Sequence, residues 1–185
     1  MSGHYLLDQT QRNYLARKVS SDHTARRRRS RLLVFEDLKG ETILVDGYNV
    51  LITLESLLYH SDTVLESDDG VLRDTQAVFG KYRPHEDTLS VLDTLMDFLI
   101  QAEIKELHFF YDRPVSRSGE LAQLTRAVLR KHHLPGEANT TPYVDRELAN
   151  SGDEVVATSD GPLMDRVKRV VDLPGLIRNR SKISD

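Results

Sequence analysis

The chain has 185 residues, 39% of them hydrophobic, and 25 Lys and Arg against 29 Asp and Glu give a formal charge of −4. Such a chain suits one globular domain. The absence of Cys excludes disulfides, zinc-thiolate sites, iron–sulfur clusters and thiol nucleophiles. No apolar run approaches the roughly 18 residues of a membrane span and no secretory signal is recognisable, so we expect a cytoplasmic protein without membrane contact.

The charge is unevenly distributed along the chain. Residues 1–40 carry a net charge of +5, with four consecutive arginines at 26–29 and a fifth at Arg31, whereas residues 41–185 carry −9. We therefore divide the chain into a helical, Arg-rich N-terminal segment (1–40) and an acidic α/β domain (41–185). The arginine run is either a solvated linker or helix face, or a contact for a polyanion, and both interpretations stay open.

Hydrophobic spacing predicts the elements in chain order. The first half is predicted to contain a helix over 6–19, a strand over 42–45, a helix over 49–58, a loop at 66–70, a short helix over 71–80 and an amphipathic helix over 86–104. The second half is predicted to contain a strand over 107–111, a helix over 120–132, a strand over 153–158, a helix over 163–167 and a strand over 169–172. This alternation predicts a mainly parallel sheet with helices on both faces and a functional site at the carboxyl ends of the strands.

An aspartate follows three of these strands. Asp46, Asp112 and Asp160 come directly or shortly after the predicted strands, and each taken alone is more often a helix cap or turn residue than a ligand. Together they would meet at one edge of a parallel sheet and repel one another unless a cation lay between them. A hard divalent metal ion is therefore the expected partner.

Two further carboxylates join this hypothesis. Asp165 follows Asp160 by five residues and can lean back toward it from a helix, although an ion pair with Arg166 or Arg169 is the alternative. Asp145 stands where a short helix is predicted to begin, so it is either another candidate ligand or the N-cap of that helix.

Residues 43–50, with the sequence Ile-Leu-Val-Asp-Gly-Tyr-Asn-Val, resemble the first strand of PIN-like nucleases of the NYN type, which opens with an Asp-Gly-x-Asn turn. The stretch from Asp145 through Asp153 to Asp160 and Asp165 is similar to the second half of that group. Residues 79–84 and 114–120 also resemble an uncharacterised prokaryotic branch of the PIN-like proteins. The resemblance covers about residues 41–178.

This resemblance implies a three-layer α/β/α fold and a metal-dependent ribonuclease. The implied ligands of one or two Mg²⁺ or Mn²⁺ ions are Asp46, Asp145, Asp160 and Asp165, and Asp112 is an additional candidate. Asn49 would position a ligand or the phosphate, or is simply a polar residue near a helix start. Carboxylates suit these ions because Mg²⁺ prefers oxygen ligands and keeps waters for reaction. RNA, single-stranded or structured, is the expected partner, and homodimer formation stays open.

Three basic residues are candidates for binding the substrate phosphate. Arg73, Lys81 and Arg83 fulfil that role or instead neutralise nearby Asp68, Asp69 and Asp74. The main alternative to an enzyme is a PIN-like module that binds RNA or a protein without cleaving it, its aspartates being caps and turn residues. A phosphatase of the haloacid-dehalogenase type is disfavoured, because Tyr48 occupies the position of the second Asp that such enzymes require.

Overall fold

The centre of the molecule is a parallel β-sheet. The computed structural model describes residues 8–76 and 81–181, with the strands β1 (Thr42–Asp46), β2 (Val64–Glu66), β3 (Leu72–Asp74), β4 (Glu106–Asp112), β5 (Gly136–Thr141), β6 (Val155–Ala157) and β7 (Val170–Val171). Five of them pair in parallel in the order β5-β4-β1-β6-β7, and β2 and β3 form a separate antiparallel ribbon. The predicted mainly parallel sheet is confirmed.

Helices cover both faces of the sheet. They are α1 (Gln9–Lys18), α2 (Asp22–Arg29), α3 (Gly47–Tyr59), α4 (Glu86–Gln101), α5 (Ser118–Lys131), α6 (Val144–Ala149), α7 (Gly161–Met164) and α8 (Leu173–Ser181). In β1, Ile43 and Val45 belong to a hydrophobic cluster shared with α3, α4, α5 and α8, whereas Leu44 packs against a second cluster that includes α6 and α7. Because successive strand residues point to opposite faces, these two clusters make the expected three-layer α/β/α arrangement.

The strand order determines where a ligand can bind. β1 lies in the middle of the sheet, the chain adds β4 and β5 on one side of it, and β6 and β7 then follow on the other side. The order therefore reverses at β1. Open parallel sheets bind ligands at the carboxyl ends of the strands where the order reverses, which here is the position of Asp46.

The N-terminal segment docks onto the α/β domain. Leu32 forms a parallel bridge with Val170, and the Leu33 N–H donates to the Val170 carbonyl at 2.8 Å. The Lys18 ammonium donates to the Glu66 carbonyl at 2.6 Å. Of the helix predicted over 6–19, residues 6 and 7 lie outside the described residues, and the basic stretch that follows is itself the helix α2.

The helix predicted over 71–80 is wrong where the structure describes it. Leu72, Arg73 and Asp74 form the buried strand β3, and the Leu72 N–H donates to Asp172 Oδ2 at 2.8 Å. This long-range contact holds the backbone extended although the local apolar spacing favours a helix. Residues 77–80 lie outside the described residues.

The elements without a counterpart in the expectations include β5 and α8. The edge strand β5 has the polar sequence GEANTT and buries only Ala138, so it lacks a hydrophobic pattern. Six parallel pairs with β4 and a hydrogen bond from the Arg126 guanidinium to the Ala138 carbonyl define it instead. Helix α8 begins with Leu-Pro-Gly, which reads as a turn. No helix within residues 8–76 and 81–181 has both the length and the apolarity needed to cross a membrane.

Candidate functional site

A cavity of about 950 Å³ lies at the carboxyl edge of the sheet. Its walls come from the ends of β1 and β4, from the segments that follow β5 and β6, and from the N-terminal helices. Charged residues of both signs line it: Asp46, Asp74, Asp112, Asp145, Asp160, Arg17, Arg28, Arg73, Arg146 and Arg166. The cavity therefore joins the predicted strand-end carboxylates to a wall of α1 and α2 that the sequence did not indicate.

Asp46 is the last residue of β1, and Gly47 starts α3 immediately after it. A Cβ at Gly47 would collide with the Tyr111 ring and come within 2.9 Å of the Phe110 carbonyl oxygen. Only glycine fits this close approach between the strand end and β4. Tyr48 is buried and packs edge-on against Tyr111, with ring centroids 5.4 Å apart. The Asp-Gly-Tyr turn thus anchors Asp46 rigidly at the cavity.

Asp46 is only 7% exposed. Its carboxylate has no cationic partner among the described residues. Burial raises its pKa to about 7, and the negative charges of Asp112, Asp145 and Asp160 push the pKa in the same direction. A hydrogen bond from the Thr158 hydroxyl to Oδ2, at 2.9 Å, lowers it in part. We call Asp46, Asp112, Asp145 and Asp160 the carboxylate cluster.

Two members of the cluster, Asp112 and Asp145, lie at the end of β4 and shortly after β5, which are the strands on one side of β1 in the sheet. Asp112 ends β4 and is partly buried, and its pKa is raised by burial and next by the charge of Asp145. Asp145 is exposed and is the second residue of α6. The N-cap of α6 is Tyr143, so the interpretation of Asp145 as that N-cap is wrong.

The fourth member, Asp160, caps a helix while it lines the cavity. Its Oδ2 accepts the Leu163 N–H at 2.9 Å, at the start of α7. The Asp160 N–H in turn donates to Thr158 Oγ1 at 3.1 Å, the same hydroxyl that donates to Asp46. One threonine hydroxyl therefore links the segments that carry Asp46 and Asp160.

Asn49 holds the loop in front of Asp160. Its Oδ1 accepts the Ser159 N–H at 2.7 Å and the Ser159 hydroxyl at 2.8 Å. The Ser159 carbonyl accepts the Arg73 Nε–H at 2.8 Å, so the loop is held on both sides. The positioning role expected of Asn49 thus acts on the protein loop that carries a member of the cluster.

Asp165 does not join the carboxylate cluster, which corrects the expectation that it would. Its Oδ1 accepts hydrogen bonds from Arg27 at 2.8 Å and Arg28 at 3.1 Å, and its Oδ2 accepts Arg28 at 2.8 Å. These arginines lower the Asp165 pKa to about 2, Arg28 more than Arg27. The expected alternative was an ion pair with Arg166 or Arg169, and the actual partners come from α2.

Arg28 also contacts Asp69 at 3.1 Å, and Arg73 makes two further bonds of 2.8 Å to the Asp69 carboxylate. The Asp69 side chain is fully buried, and its pKa is lowered because the hydrogen bonds and charges of Arg73 and Arg28 outweigh the effect of burial. We call Arg27, Arg28, Arg73, Asp69 and Asp165 the arginine network. It fastens α2 to the domain.

The three predicted phosphate-binding residues are differently placed. Arg73 lines the cavity but is buried and paired with Asp69, as the alternative interpretation held. Lys81 and Arg83 are exposed and do not line the cavity, and Arg83 donates to the adjacent Tyr82 carbonyl at 2.8 Å. The structure thus brings none of the three to the cavity as a free cation.

The carboxylate cluster fits a hard cation in chemistry, though not as a complete ligand cage. Within residues 8–76 and 81–181, no three carboxylate or imidazole side chains are arranged so that they could hold a metal ion directly. Mg²⁺ is commonly bound through one or two carboxylates and completes its shell with water and substrate phosphate. Asp46 and Asp160, linked through Thr158, are the residues that suit this type of site.

The structure adds residues that the sequence did not single out. Thr158 and Ser159 arrange the carboxylates, and Tyr143, Arg146 and Arg166 line the cavity beside them. The available signal was adjacency, because Thr158 and Ser159 precede Asp160, Tyr143 and Arg146 flank Asp145, and Arg166 follows Asp165. Their roles depend on loop geometry that the pattern of apolar residues does not encode.

Comparisons with known proteins place the chain in a family without an assigned activity. A family model described as "Domain of unknown function (DUF5616)" matches residues 35–176. The uncharacterized protein MJ0935 of Methanocaldococcus jannaschii is 37% identical over 175 residues, which are 94% of this chain and 82% of the relative. No solved structure matches the chain.

Proposed function

The chain belongs to the DUF5616 family, and we propose that it is a cytoplasmic metal-dependent ribonuclease that hydrolyses RNA phosphodiester bonds. One observation carries this proposal. Four carboxylates from separate elements lie around one cavity at the carboxyl edge of a parallel sheet, and none of them forms an ion pair within the described parts of the chain.

The electrostatic cost of this arrangement favours the binding of a cation. Burial and three neighbouring negative charges oppose the ionisation of Asp46, so its pKa is raised to about 7. The same fold supplies two arginines to each of Asp69 and Asp165. A divalent cation beside Asp46 would favour its ionised form and offset the repulsion within the cluster.

Phosphodiester hydrolysis explains why a protein would keep such a site. A bound Mg²⁺ or Mn²⁺ ion supplies positive charge at the phosphate and lowers the pKa of water. Asp46 and Asp160 would hold the ion, and Thr158 fixes Asp46 Oδ2 so that the ligand is oriented in advance. Asp112 and Asp145 would accept hydrogen bonds from waters between the ion and the substrate.

A module that binds RNA without cleaving it is the second candidate. The observation in its favour is that no three acidic or imidazole side chains in the described ranges form a ready ligand set. Asp160 also serves as the N-cap of α7, which gives it a structural role. The two candidates differ in what a divalent ion does to bound RNA.

The deciding experiment measures cleavage of fluorescent single-stranded RNA by the purified protein with Mg²⁺ or Mn²⁺ and with EDTA. We expect cleavage only with the metal ion, and we expect Asp46→Asn and Asp160→Asn to reduce it to the EDTA level because each removes ligand charge at nearly constant shape. Asp62→Asn is the control, since Asp62 is exposed and lies outside the cavity. Thermal unfolding verifies that each variant is folded.

Undiminished cleavage by the Asp46 variant, or in EDTA, would refute the proposed site. RNA binding by the wild type without cleavage in either metal ion would instead support the non-cleaving module.

A further inference from the structure

Three residues in the lining of the cavity differ in chemistry from the carboxylate cluster. They are Tyr143, Arg146 and Arg166, next to Asp145 and Asp160. Tyr143 and Arg146 are three residues apart at the start of α6, a spacing that places two side chains on one side of a helical turn. Arg166 is the second residue after the end of α7 at Met164.

Tyr143 is an aromatic side chain that the fold does not use for packing. It is 62% exposed, more than any other large hydrophobic side chain in the described parts of the chain. Its backbone is nevertheless fixed, because the N–H donates to Thr141 Oγ1 at 3.3 Å and the carbonyl accepts the N–H groups of Arg146 and Glu147 at 3.0 Å. The ring is thus an accessible platform on a held backbone.

Arg146 and Arg166 differ from Arg28 and Arg73, which also line the cavity. Arg28 and Arg73 are ion-paired with buried or half-buried carboxylates. Arg146 and Arg166 are exposed, and neither guanidinium has a hydrogen bond or ion pair to the described residues. Two guanidinium groups beside a carboxylate cluster are therefore available for an anion.

From this combination, and resting on the proposed function, we propose that Tyr143, Arg146 and Arg166 form a subsite for one unpaired nucleotide of a single-stranded nucleic acid. The base stacks on the Tyr143 ring, and the two guanidinium groups bind the phosphates that flank it. Aromatic stacking together with basic side chains is how proteins hold single strands. The subsite adjoins the cluster, so a strand held there has its backbone next to the proposed metal.

The subsite selects against duplexes for a physical reason. A base in a duplex is stacked between its neighbours, and its faces are not available to an exposed ring until it is splayed out. A single strand presents each base face at little cost. The geometry therefore assigns single-stranded RNA or DNA as the substrate class, and the 2′-hydroxyl is the difference between their sugars.

The test is a binding experiment in EDTA, where the proposed cleavage cannot proceed. Fluorescence anisotropy of a labelled oligouridylate, an oligodeoxyuridylate and an RNA duplex is compared for the wild type and variants. We expect Tyr143→Ala to weaken binding of the single strands by about 5- to 150-fold, the equivalent of one stacked base. Tyr143→Phe should restore binding, because its ring still stacks.

The arginines are tested through salt dependence. Arg146→Gln and Arg166→Gln should each reduce the slope of log affinity against log salt by about 0.7. Tyr59→Ala and Arg130→Gln are matched controls, because both residues are exposed and lie away from the cavity, and they should change neither affinity nor slope.

The outcomes separate this inference from the proposed enzyme. Single-strand binding that is unchanged in Tyr143→Ala, or duplex binding as tight as single-strand binding, overturns the subsite even if the wild type cleaves RNA with Mg²⁺. Tyr143-dependent binding by a wild type that never cleaves supports the subsite and refutes the ribonuclease. Equal affinity for the RNA and DNA strands supports the subsite without a role for the 2′-hydroxyl.

Discussion

The carboxylate cluster and the arginine network both contain aspartates, but the pKa values of these aspartates are shifted in opposite directions. In the cluster, burial and like charges raise the pKa of Asp46 to about 7. In the network, Arg28 and Arg27 lower the pKa of Asp165 to about 2, and Arg73 and Arg28 keep the pKa of Asp69 low despite its burial. Both regions border one cavity, since Arg28 and Arg73 line it together with Asp46.

The two regions differ in whether the folded chain supplies positive charge to its aspartates. The network satisfies its carboxylates within the chain, so the folded protein already contains the counter-charge that they need. The cluster has no ion-paired counter-charge within the described residues. Strongly perturbed carboxylates in a cavity are candidates for function on this ground, while paired ones stabilise the fold.

The largest expected effect is on the arginine network. Asp69→Asn should lower the free energy of unfolding by about 3–5 kcal/mol, because it leaves the buried Arg73 without its carboxylate partner and removes one of the two carboxylates that Arg28 contacts. Urea unfolding at neutral pH measures this. The matched variant Asp112→Asn removes a carboxylate from the cluster and should leave stability unchanged or raise it, since its charge is repelled by Asp145. Equal losses in the two variants would contradict the division into compensated and uncompensated regions.

The second prediction concerns the pH dependence of Asp46 in metal-free protein. Its folded pKa of about 7 lies above the ordinary 3.8, so the folded state retains a proton that the unfolded state loses. Stability therefore falls as pH rises from about 4 to about 7, by on the order of 4 kcal/mol in total. Asp46→Asn removes this loss, and the variant should be the more stable protein at pH 8 in EDTA.

Denaturant unfolding at several pH values provides the measurement. Asp172 is buried and its pKa is raised to about 6, so it contributes to the same pH window. It contributes equally in both proteins and cancels in their difference. A difference that stays constant between pH 4 and pH 8 would mean that Asp46 is ionised normally and that the cluster carries no unmet charge.

The sequence predicts the central strands and the main amphipathic helix well. Strands with apolar runs, such as β1 and β4, and the amphipathic helix α4 are recognisable because burial on both faces or on one face leaves a periodic pattern. β5 and β3 are not, because pairing with β4 and the contact to Asp172 define them rather than their own composition. Local patterns indicate an element only where its own side chains supply the burial.

The sequence predicts where the carboxylates lie along the sheet edge, but it does not predict which of them form ion pairs. Parallel strands bring Asp46 and Asp112 to one edge, and the sequence indicates this. It could not show that Asp165 is ion-paired with Arg27 and Arg28, because these arginines precede it by more than 130 residues. For the same reason, the sequence does not show that two arginines of the run form ion pairs with the α/β domain.

Asp165 provides a third prediction with a smaller effect. Its pKa of about 2 lies below the ordinary 3.8, so its ion pairs stabilise the protein above pH 4, and this stability is lost as pH falls toward 2. Asp165→Asn should cost about 1–2 kcal/mol at neutral pH, since Arg27 and Asp165 are partly exposed and solvent screens the pair. Metal-dependent cleavage should persist in this variant. A fully inactive but folded Asp165→Asn protein would return Asp165 to the proposed metal site.

The last and smallest effect concerns the remainder of the arginine run. Arg27 and Arg28 are paired with Asp165, and Arg31 donates to the carbonyls of Met164, Asp165 and Val167 at 3.0–3.2 Å. Only Arg26 and Arg29 remain exposed and unpaired within the described residues.

Each phosphate contact on a single strand contributes about 0.7 to the slope of log affinity against log salt, so replacing Arg26 and Arg29 with Ser should flatten that slope by at most about 1.4. Anisotropy titrations of single-stranded RNA at several salt concentrations measure it. A full contact of all five arginines would have been worth about 3.5. If all five arginines were replaced with Ser, a change near that larger value would require Arg27, Arg28 and Arg31 to leave their carboxylate and carbonyl partners on binding RNA, and α2 would then be a mobile wall of the cavity. No change would make the whole run structural, with its exposed members no more than a solvated helix face.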